Sequence, residues 1–412
     1  MLVSLAWSSL ASRRKSVILT FLSLLISISV LLSVEHIRQQ AKESFNRTIS
    51  DVDMIVGAPS GQLNLLLYSV FRMGSPTSNI NYKSYETLKS SSLVKWAIPI
   101  SLGDSHRGFR VMGTNNSYFE HFKYGTKQPL TFNSGQPFNT LFEAVIGADV
   151  AKKLNYKIGQ SVVIAHGIGN TSFTHHDNTP FIIKGILNPT GTPVDKTIHV
   201  SLNAIEAIHL SPAKQAKLLN NVDSVNTTPK SINAVMLGLK SKFSTFKLQR
   251  DINNYKADRL MAVLPGVAMT ELWQMMATVE SLLRVIGILV LVSSLFGLST
   301  MLLASMAQRK NEIAVLRVLG AGPSVIFSLV LVEALIVVLI SSAAATALLS
   351  LTLWLLGDWL GATYGLFLNA NMLNLETLKV ITVIAVAAII TSAIPAYEAY
   401  KNALHSSLSA KS

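Results

Sequence analysis

With half of its 412 residues hydrophobic, only 14% charged and a mean hydropathy of +0.41, the chain cannot be solvated by water alone, and a bilayer must cover part of it. The formal charge of +13 does not point to nucleic acid: residues 35–282 carry 25 Lys and Arg against 17 Asp and Glu, an excess of eight spread without a basic run or interleaved aromatics. Cysteine is absent, which excludes disulfides, thiol catalysis and thiolate-bound metal without fixing the compartment.

Residues 1–15 end in Arg13, Arg14 and Lys15 and read as a short cytoplasmic N-terminal segment. The charge-poor run at 16–35 has the roughly 20-residue length of a membrane helix. A basic triplet before an apolar run also describes a signal peptide. This run is longer than an h-region, no small-x-small cleavage site follows, and VEHIRQQAKESF reads as continued helix, so the expectation is a retained anchor. Val30, Val34, Ile37, Ala41 and Ser44 keep one helical face, as do Leu272, Met276, Val279, Leu283, Ile286 and Val290 on the way back. Two or three heptads leave two readings open, a stalk of paired helices or ordinary core packing.

Residues 36–282 have the mixed polarity of a folded domain. In GAPSGQLNLLLYSVFRMGSPTSNI, Leu65, Leu66, Leu67 and Phe71 read as core, with a contact loop as the rival reading. FEAVIGADVAKKLNYKIGQSVVIA predicts a strand into Gly147, a helix from near Asp149, a turn at Gly159 and a second strand. FIIKGIL and TIHVSL are short β-branched strands around the turn residues of NPTGTPVDK. SINAVMLGLK is a further strand and KFSTFKLQRDINNY a helix. The alternation argues for an α+β domain, in one lobe or two. His175, His176 and Asp177, with His166 and His199 nearby in sequence, are the best metal candidates, but adjacent histidines lack the spacing that converges ligands and read as a polar loop, so no metal site is expected.

Runs at 283–307, 324–356 and 378–397 supply three more spans, joined by residues 308–323 and a short connection at 357–377 and followed by a tail at 398–412. Lys and Arg gather before span 1, after span 2 and after span 4, which predicts both termini and the 308–323 segment in the cytoplasm and the large domain outside. In QRKNEIAVLRVLGAGP, Ile313, Leu316 and Leu319 repeat along one helical stripe while Arg309, Lys310, Glu312 and Arg317 occupy mainly other faces; Gly320 or Gly322 ends the helix and Pro323 opens the next. An amphipathic cytoplasmic helix of this kind is either an interfacial linker or a docking element for a partner groove. Glu333, well inside the third run, predicts a side chain facing protein interior or water, with a role in helix contacts or gating and a proton or ion pathway as the lesser alternative. Phosphate-loop, GxSxG, HExxH and EF-hand patterns are all missing from the sequence.

ASMAQRKNEIAVLRVLGAGPSVIFSLVLVEA resembles the signature of the FtsX, LolC and MacB permease family of ABC transporters, a motif of the form R-x-x-E-I-x-x-L-R-x-L-G-A after the second span. FEAVIGADVAKKLNYKIGQSV is similar to a stretch of the MacB-like periplasmic domain, and IPAYEAYKNALHSSL to the family's exit from the fourth helix. The resemblance implies a multi-pass inner-membrane protein: four transmembrane helices with a large α+β periplasmic, MacB-like core domain inserted between helices 1 and 2. It implies a non-catalytic permease, dimeric with a second copy or a paralogue, working with a separate ABC ATP-binding subunit that holds ATP and Mg. Closure of that subunit would drive the outer domain by mechanotransmission. Carried over by position, Glu312, Ile313, Leu316, Arg317 and Gly320 would form the ATPase-coupling contact, and Glu333 matches an acidic residue at the start of the third span. MacB itself carries a fused N-terminal ATPase; this chain starts about a dozen residues before its first span and is expected to lack one. The implied substrate is periplasmic or in the outer leaflet: a lipoprotein, a lipid-like or peptide molecule, or a small solute handed to an envelope partner. The alternative is an FtsX-like scaffold that activates a periplasmic partner without moving cargo. MIVGAPSG and NPTGTPVDK resemble segments of a subgroup with a faint link to metal supply.

Overall fold

The computed structural model describes residues 2–166, 179–221, 225–308, 315, 318, 320–364 and 369–405. The chain divides into a helical unit, residues 1–42 with 276–412, and an inserted unit, residues 43–275.

Among the described residues, four helices are long and apolar enough to cross a membrane: Arg14–Thr48, Pro265–Gln308, Pro323–Tyr364 and Leu375–His405. This agrees with the four spans expected from the apolar runs. The first two outgrow those runs. At 1.5 Å per residue they extend about 52 and 66 Å, against roughly 30 Å of hydrocarbon.

Leu24, Ile28 and Leu32, spaced one turn apart, share a buried cluster with Leu291, Leu295 and Leu298. Polar glue crosses the same region, where the hydroxyls of Ser27 and Ser294 lie 2.6 Å apart. In the fourth helix, Pro395 has no N–H for the carbonyl of Thr391, and Ser299 of the second helix donates to that carbonyl at 3.1 Å. Of the two stripes read either as a stalk or as core packing, Val30, Ile37, Met276, Val279, Leu283, Ile286 and Val290 are all exposed. The helices meet instead through the leucine and serine positions above, and through Arg284 donating to Glu35 at 3.1 Å. Leu272 packs into the inserted unit.

The inserted unit is built on an eleven-stranded mixed sheet. Its main path runs Met261–Val263, Met54–Gly57, Ala234–Leu239, Val94–His106, Phe109–Thr114, Thr197–Ser201, Glu143–Ile146, Phe181–Leu187 and Phe132–Gly135. One strand, Val94–His106, joins two halves. Residues 94–100 pair with Ala234–Leu239, and residues 101–106 turn to Phe109–Thr114. Arg107 (φ 47°) and Gly108 (φ 84°) close that hairpin in the left-handed conformation that a two-residue turn requires.

Both sheet faces are covered, so the strands alternate between two cores. Met54 and Val56 enter a cluster with Tyr85, Leu88, Leu248 and Ile252, while Ile55 enters another with Leu65, Leu66, Tyr118 and Phe119. Leu65, Leu66 and Phe71 are therefore core, on and just after the helix Gln62–Ser69. The expected strands at 143–146, 181–187, 197–201 and 234–239, and the helices Ala148–Leu154 and Thr245–Asn253, are present, giving the α+β architecture.

Candidate functional site

Two stretches that carried the family resemblance meet in space. The segment Thr190–Lys196 folds back on itself: the Asp195 carboxylate accepts from the backbone N–H of Thr190 and of Gly191, the latter at 2.8 Å, and from the Thr190 hydroxyl at 2.8 Å. Burial raises the Asp195 pKa against these donors. The loop lies directly on Gly147, where an added Cβ would stand 2.3 Å from the Val194 carbonyl oxygen and 2.4 Å from that of Asp195. Gly147 is needed for this close approach, since its φ of −71° is open to any residue.

In the coupling segment, Glu312, Ile313, Leu316 and Arg317 lie outside the described residues. Gly320 is described. Its φ of 94° is the positive value expected of a helix stop, and the helix starting at Pro323 follows. No atom lies within 4 Å of a Cβ placed on Gly320, so its requirement is conformational and not steric.

Glu333 is completely buried on the Pro323–Tyr364 helix. Arg13 donates Nη2 to its Oε2 at 2.9 Å, and the Ser9 hydroxyl donates to Oε1. The same Nη2 reaches the Ser9 hydroxyl at 2.8 Å. Of the protein interior or water expected around it, the side chain has protein interior, and its partners come from the N-terminal segment, where residues Leu2–Ser12 form a helix. Sequence reasoning placed Arg13 only as an orienting charge. Ser9 and Arg13 are four residues apart, a spacing that puts both on one helical face, and this was the available signal.

The histidine candidates do not converge among the described residues. His175, His176 and Asp177 lie outside them, as does the His166 side chain. His199 is fully buried in the sheet, its Nδ1 3.3 Å from the Val145 carbonyl. His106, not singled out from sequence, is held at both nitrogens, by the Val163 carbonyl at 2.6 Å and the Tyr156 hydroxyl at 2.9 Å, and burial lowers its pKa. Among the described residues no group of three or more His, Asp or Glu side chains could hold a metal ion.

Comparison with known proteins adds the following. Residues 17–255 match the family model of the MacB-like periplasmic core domain, and residues 284–404 match that of the FtsX-like permease C-terminal region. No curated protein matches the chain. Among solved structures, the periplasmic region of MacB from Actinobacillus actinomycetemcomitans aligns at 11% identity over 55% of this chain and 94% of its own, with a TM-score of 0.36. The extracellular domain of the noncanonic ABC-type transporter YknZ from Gram-positive bacteria aligns at 14% identity over 52% and 99%, with a TM-score of 0.29. At these scores the assignment rests on the two family models alone.

Proposed function

Because the chain belongs to the FtsX/MacB-like family of ABC transporter permeases, we propose that it is the transmembrane subunit of a complex in which a separate ATP-binding subunit hydrolyses Mg-ATP and this chain converts the stroke into movement of its inserted domain. The observation that supports this reading is the pairing, in one chain, of a MacB-like match over residues 17–255, which takes in the first candidate span, with an FtsX-like C-terminal match over residues 284–404, which takes in all or part of the other three. The helices Arg14–Thr48 and Pro265–Gln308 each run unbroken from residues of one unit into residues of the other. A continuous helix carries rigid-body motion, because packed elements shift between discrete arrangements more readily than they deform.

In this reading the 308–323 segment faces the cytoplasm and docks in a groove of the ATP-binding subunit, with Ile313 and Leu316 as apolar anchors, Glu312 and Arg317 fixing register and Gly320 ending the helix. The inserted domain faces the periplasm and acts on a periplasmic or outer-leaflet substrate, with two permeases per complex.

The test is purification of the tagged chain from its native membrane. The wild-type chain carries Mg-ATP hydrolysis with it. Leu316→Asp inserts at the wild-type level and loses more than tenfold of the associated hydrolysis, as expected when a charge enters an apolar docking groove. Hydrolysis retained at the wild-type level in this variant overturns the docking role. Since the chain has no cysteine, single cysteines placed at the 308–323 segment and in the inserted domain report sidedness by labelling without background.

A further inference from the structure

Where the first span begins, more positive charge is present than the chain neutralises. Residues 1–34 contain no Asp or Glu, and three cations, Arg13, Arg14 and Lys15, follow one another there. Arg13 is taken by Glu333 of the helix Pro323–Tyr364. Arg14 and Lys15 are exposed and make no ion pair among the described residues, which leaves an excess of two positive charges at this end of the span.

Beside Arg14 the helical unit is open. A cleft of about 270 Å³ lies between the helix Leu2–Ser12, the start of the helix Arg14–Thr48 and the helix Pro323–Tyr364. Its walls are hydrocarbon, from Trp7, Ile18, Phe21, Ile336 and Ile340 among others, and Arg14 is the one charged residue that lines it. Helical spacing assembles these walls: Arg14, Ile18 and Phe21 share a face of the first span, and Val337 and Ile340 follow Glu333 along one face of the third. The bonds from Ser9 and Arg13 to Glu333 hold the N-terminal helix against the third span beside the cleft. Nothing in the chain covers the opening, since Trp7 is 58% exposed, Ile18 52% and Ile340 42%.

In a bilayer the surroundings fill such a cleft with acyl chain. Arg14 precedes the apolar run by two residues, which puts it at the boundary between hydrocarbon and headgroups, the level at which tryptophan also concentrates. A long cationic side chain there lays its stem on apolar surface and sends its charge to the headgroups. The counter-charge that the chain does not supply is then a lipid phosphate. A zwitterionic headgroup brings its own cation and cancels part of the attraction, whereas an anionic one keeps it whole.

We propose that this cleft binds one anionic phospholipid, an acyl chain lying against Ile18, Phe21, Ile336 and Ile340 and the headgroup phosphate held by Arg14 beside Trp7. The site uses neither the coupling segment nor the sidedness of the inserted domain, so its failure leaves the permease reading intact.

The experiment is native mass spectrometry of the purified, delipidated full chain in detergent, in about 0.2 M ammonium acetate to screen charges that are not in contact. The probes are dioleoyl phosphatidylglycerol and dioleoyl phosphatidylcholine, which share chains and phosphate diester and differ in net charge. The expected result is a first phosphatidylglycerol bound about fivefold or more tighter than phosphatidylcholine and than any later phosphatidylglycerol. Arg14→Gln lowers this first site to the phosphatidylcholine level, while Lys15→Gln, outside the cleft wall, changes it less than twofold. Ala11→Phe places a ring in the cleft without altering any charge and also removes the tight site. All three positions are exposed, so the variants are expected to unfold at the wild-type temperature in lipid-free detergent. Equal affinity for the two lipids, equal losses in Arg14→Gln and Lys15→Gln, or a tight site that survives Ala11→Phe overturns the proposal. So does an Ile18→Cys chain that forms a disulfide-linked dimer in the native membrane, because a second copy then occupies the cleft.

Discussion

Two arginines with largely buried side chains divide the molecule. Arg13, in the helical unit, is anchored through Nη2 to Glu333 and Ser9, so its charge is neutralised within the chain even though Nη1 is left without a partner. Arg72, in the inserted unit, makes no ion pair among the described residues and has the neutral Tyr118 hydroxyl beside it. The contrast follows from what each environment permits. A membrane interior offers no water to a stray charge, so a carboxylate on one helix and a guanidinium beside another must find each other. A water-soluble domain tolerates a guanidinium beside a neutral hydroxyl where the rest of its core supplies the stability. One arginine is thus neutralised by a carboxylate, and the other keeps its charge.

The largest effect expected from this contrast is at Glu333. Replacing it by leucine leaves Arg13 buried and uncompensated, and the chain is expected to lose about 3–5 kcal/mol of stability in detergent unfolding. Removing both partners, Arg13→Leu with Glu333→Leu, is expected to restore most of that loss, since two apolar side chains replace a pair whose desolvation cost is comparable to its attraction. A double variant as unstable as the single one would show that Glu333 is held by more than the pair, and would break the comparison with Arg72.

A smaller effect concerns the acid side of the inserted unit. His199 titrates near 6.5 when unfolded and at about 3 in the folded chain, so between those values the unfolded state binds the extra proton. Stability from this group is full above pH 6.5 and falls as pH drops toward 3, by a few kcal/mol at most as an order of magnitude. Denaturation at pH 7.5 and pH 5 is expected to differ less in His199→Asn than in the wild type, which also subtracts the parallel contribution of His106. Asp51, whose pKa is lowered to about 2 by hydrogen bonds from Lys127 and Lys123, contributes only as pH falls below about 3.8 and stays out of this range. If the pH difference is unchanged in His199→Asn, burial does not hold the ring neutral in the folded chain.

Much of this architecture is written locally. Four apolar runs specify four spans, and β-branched runs bounded by Gly and Pro specify strands such as 181–187 and 197–201, because hydropathy and turn chemistry act over a few residues. The hairpin formed by Val94–His106 and Phe109–Thr114 was also legible in principle, from Arg107-Gly108 between two apolar stretches, though it is not among the sequence-based expectations. The partners of Glu333 were not: Ser9 and Arg13 lie more than 300 residues away, and only the packed helices bring them together. The same holds for Arg72, Tyr118 and His199. Each looks ordinary in its own segment, and the absence of a counter-charge becomes visible only when the three are assembled.

The smallest effect tests whether polar contacts between the spans behave like the Arg13 pair or merely fill space. Ser27 and Ser294 lie 2.6 Å apart, and Ser23 and Ser294 3.1 Å apart, so Ser294 serves two hydroxyls of the first span. Hydroxyl bonds between membrane helices contribute about 0.6 kcal/mol on average, because a helix separated in the bilayer finds other partners for the same group. Ser27 also bonds the Ser23 carbonyl of its own helix at 2.8 Å, which gives it such a fallback. Ser294→Ala is therefore expected to cost less than about 1 kcal/mol, and a double-mutant cycle with Ser27→Ala to give a coupling of a few tenths of a kcal/mol. A coupling as large as that of Arg13 with Glu333 would mean that hydroxyl pairing, and not charge neutralisation, organises the helical unit.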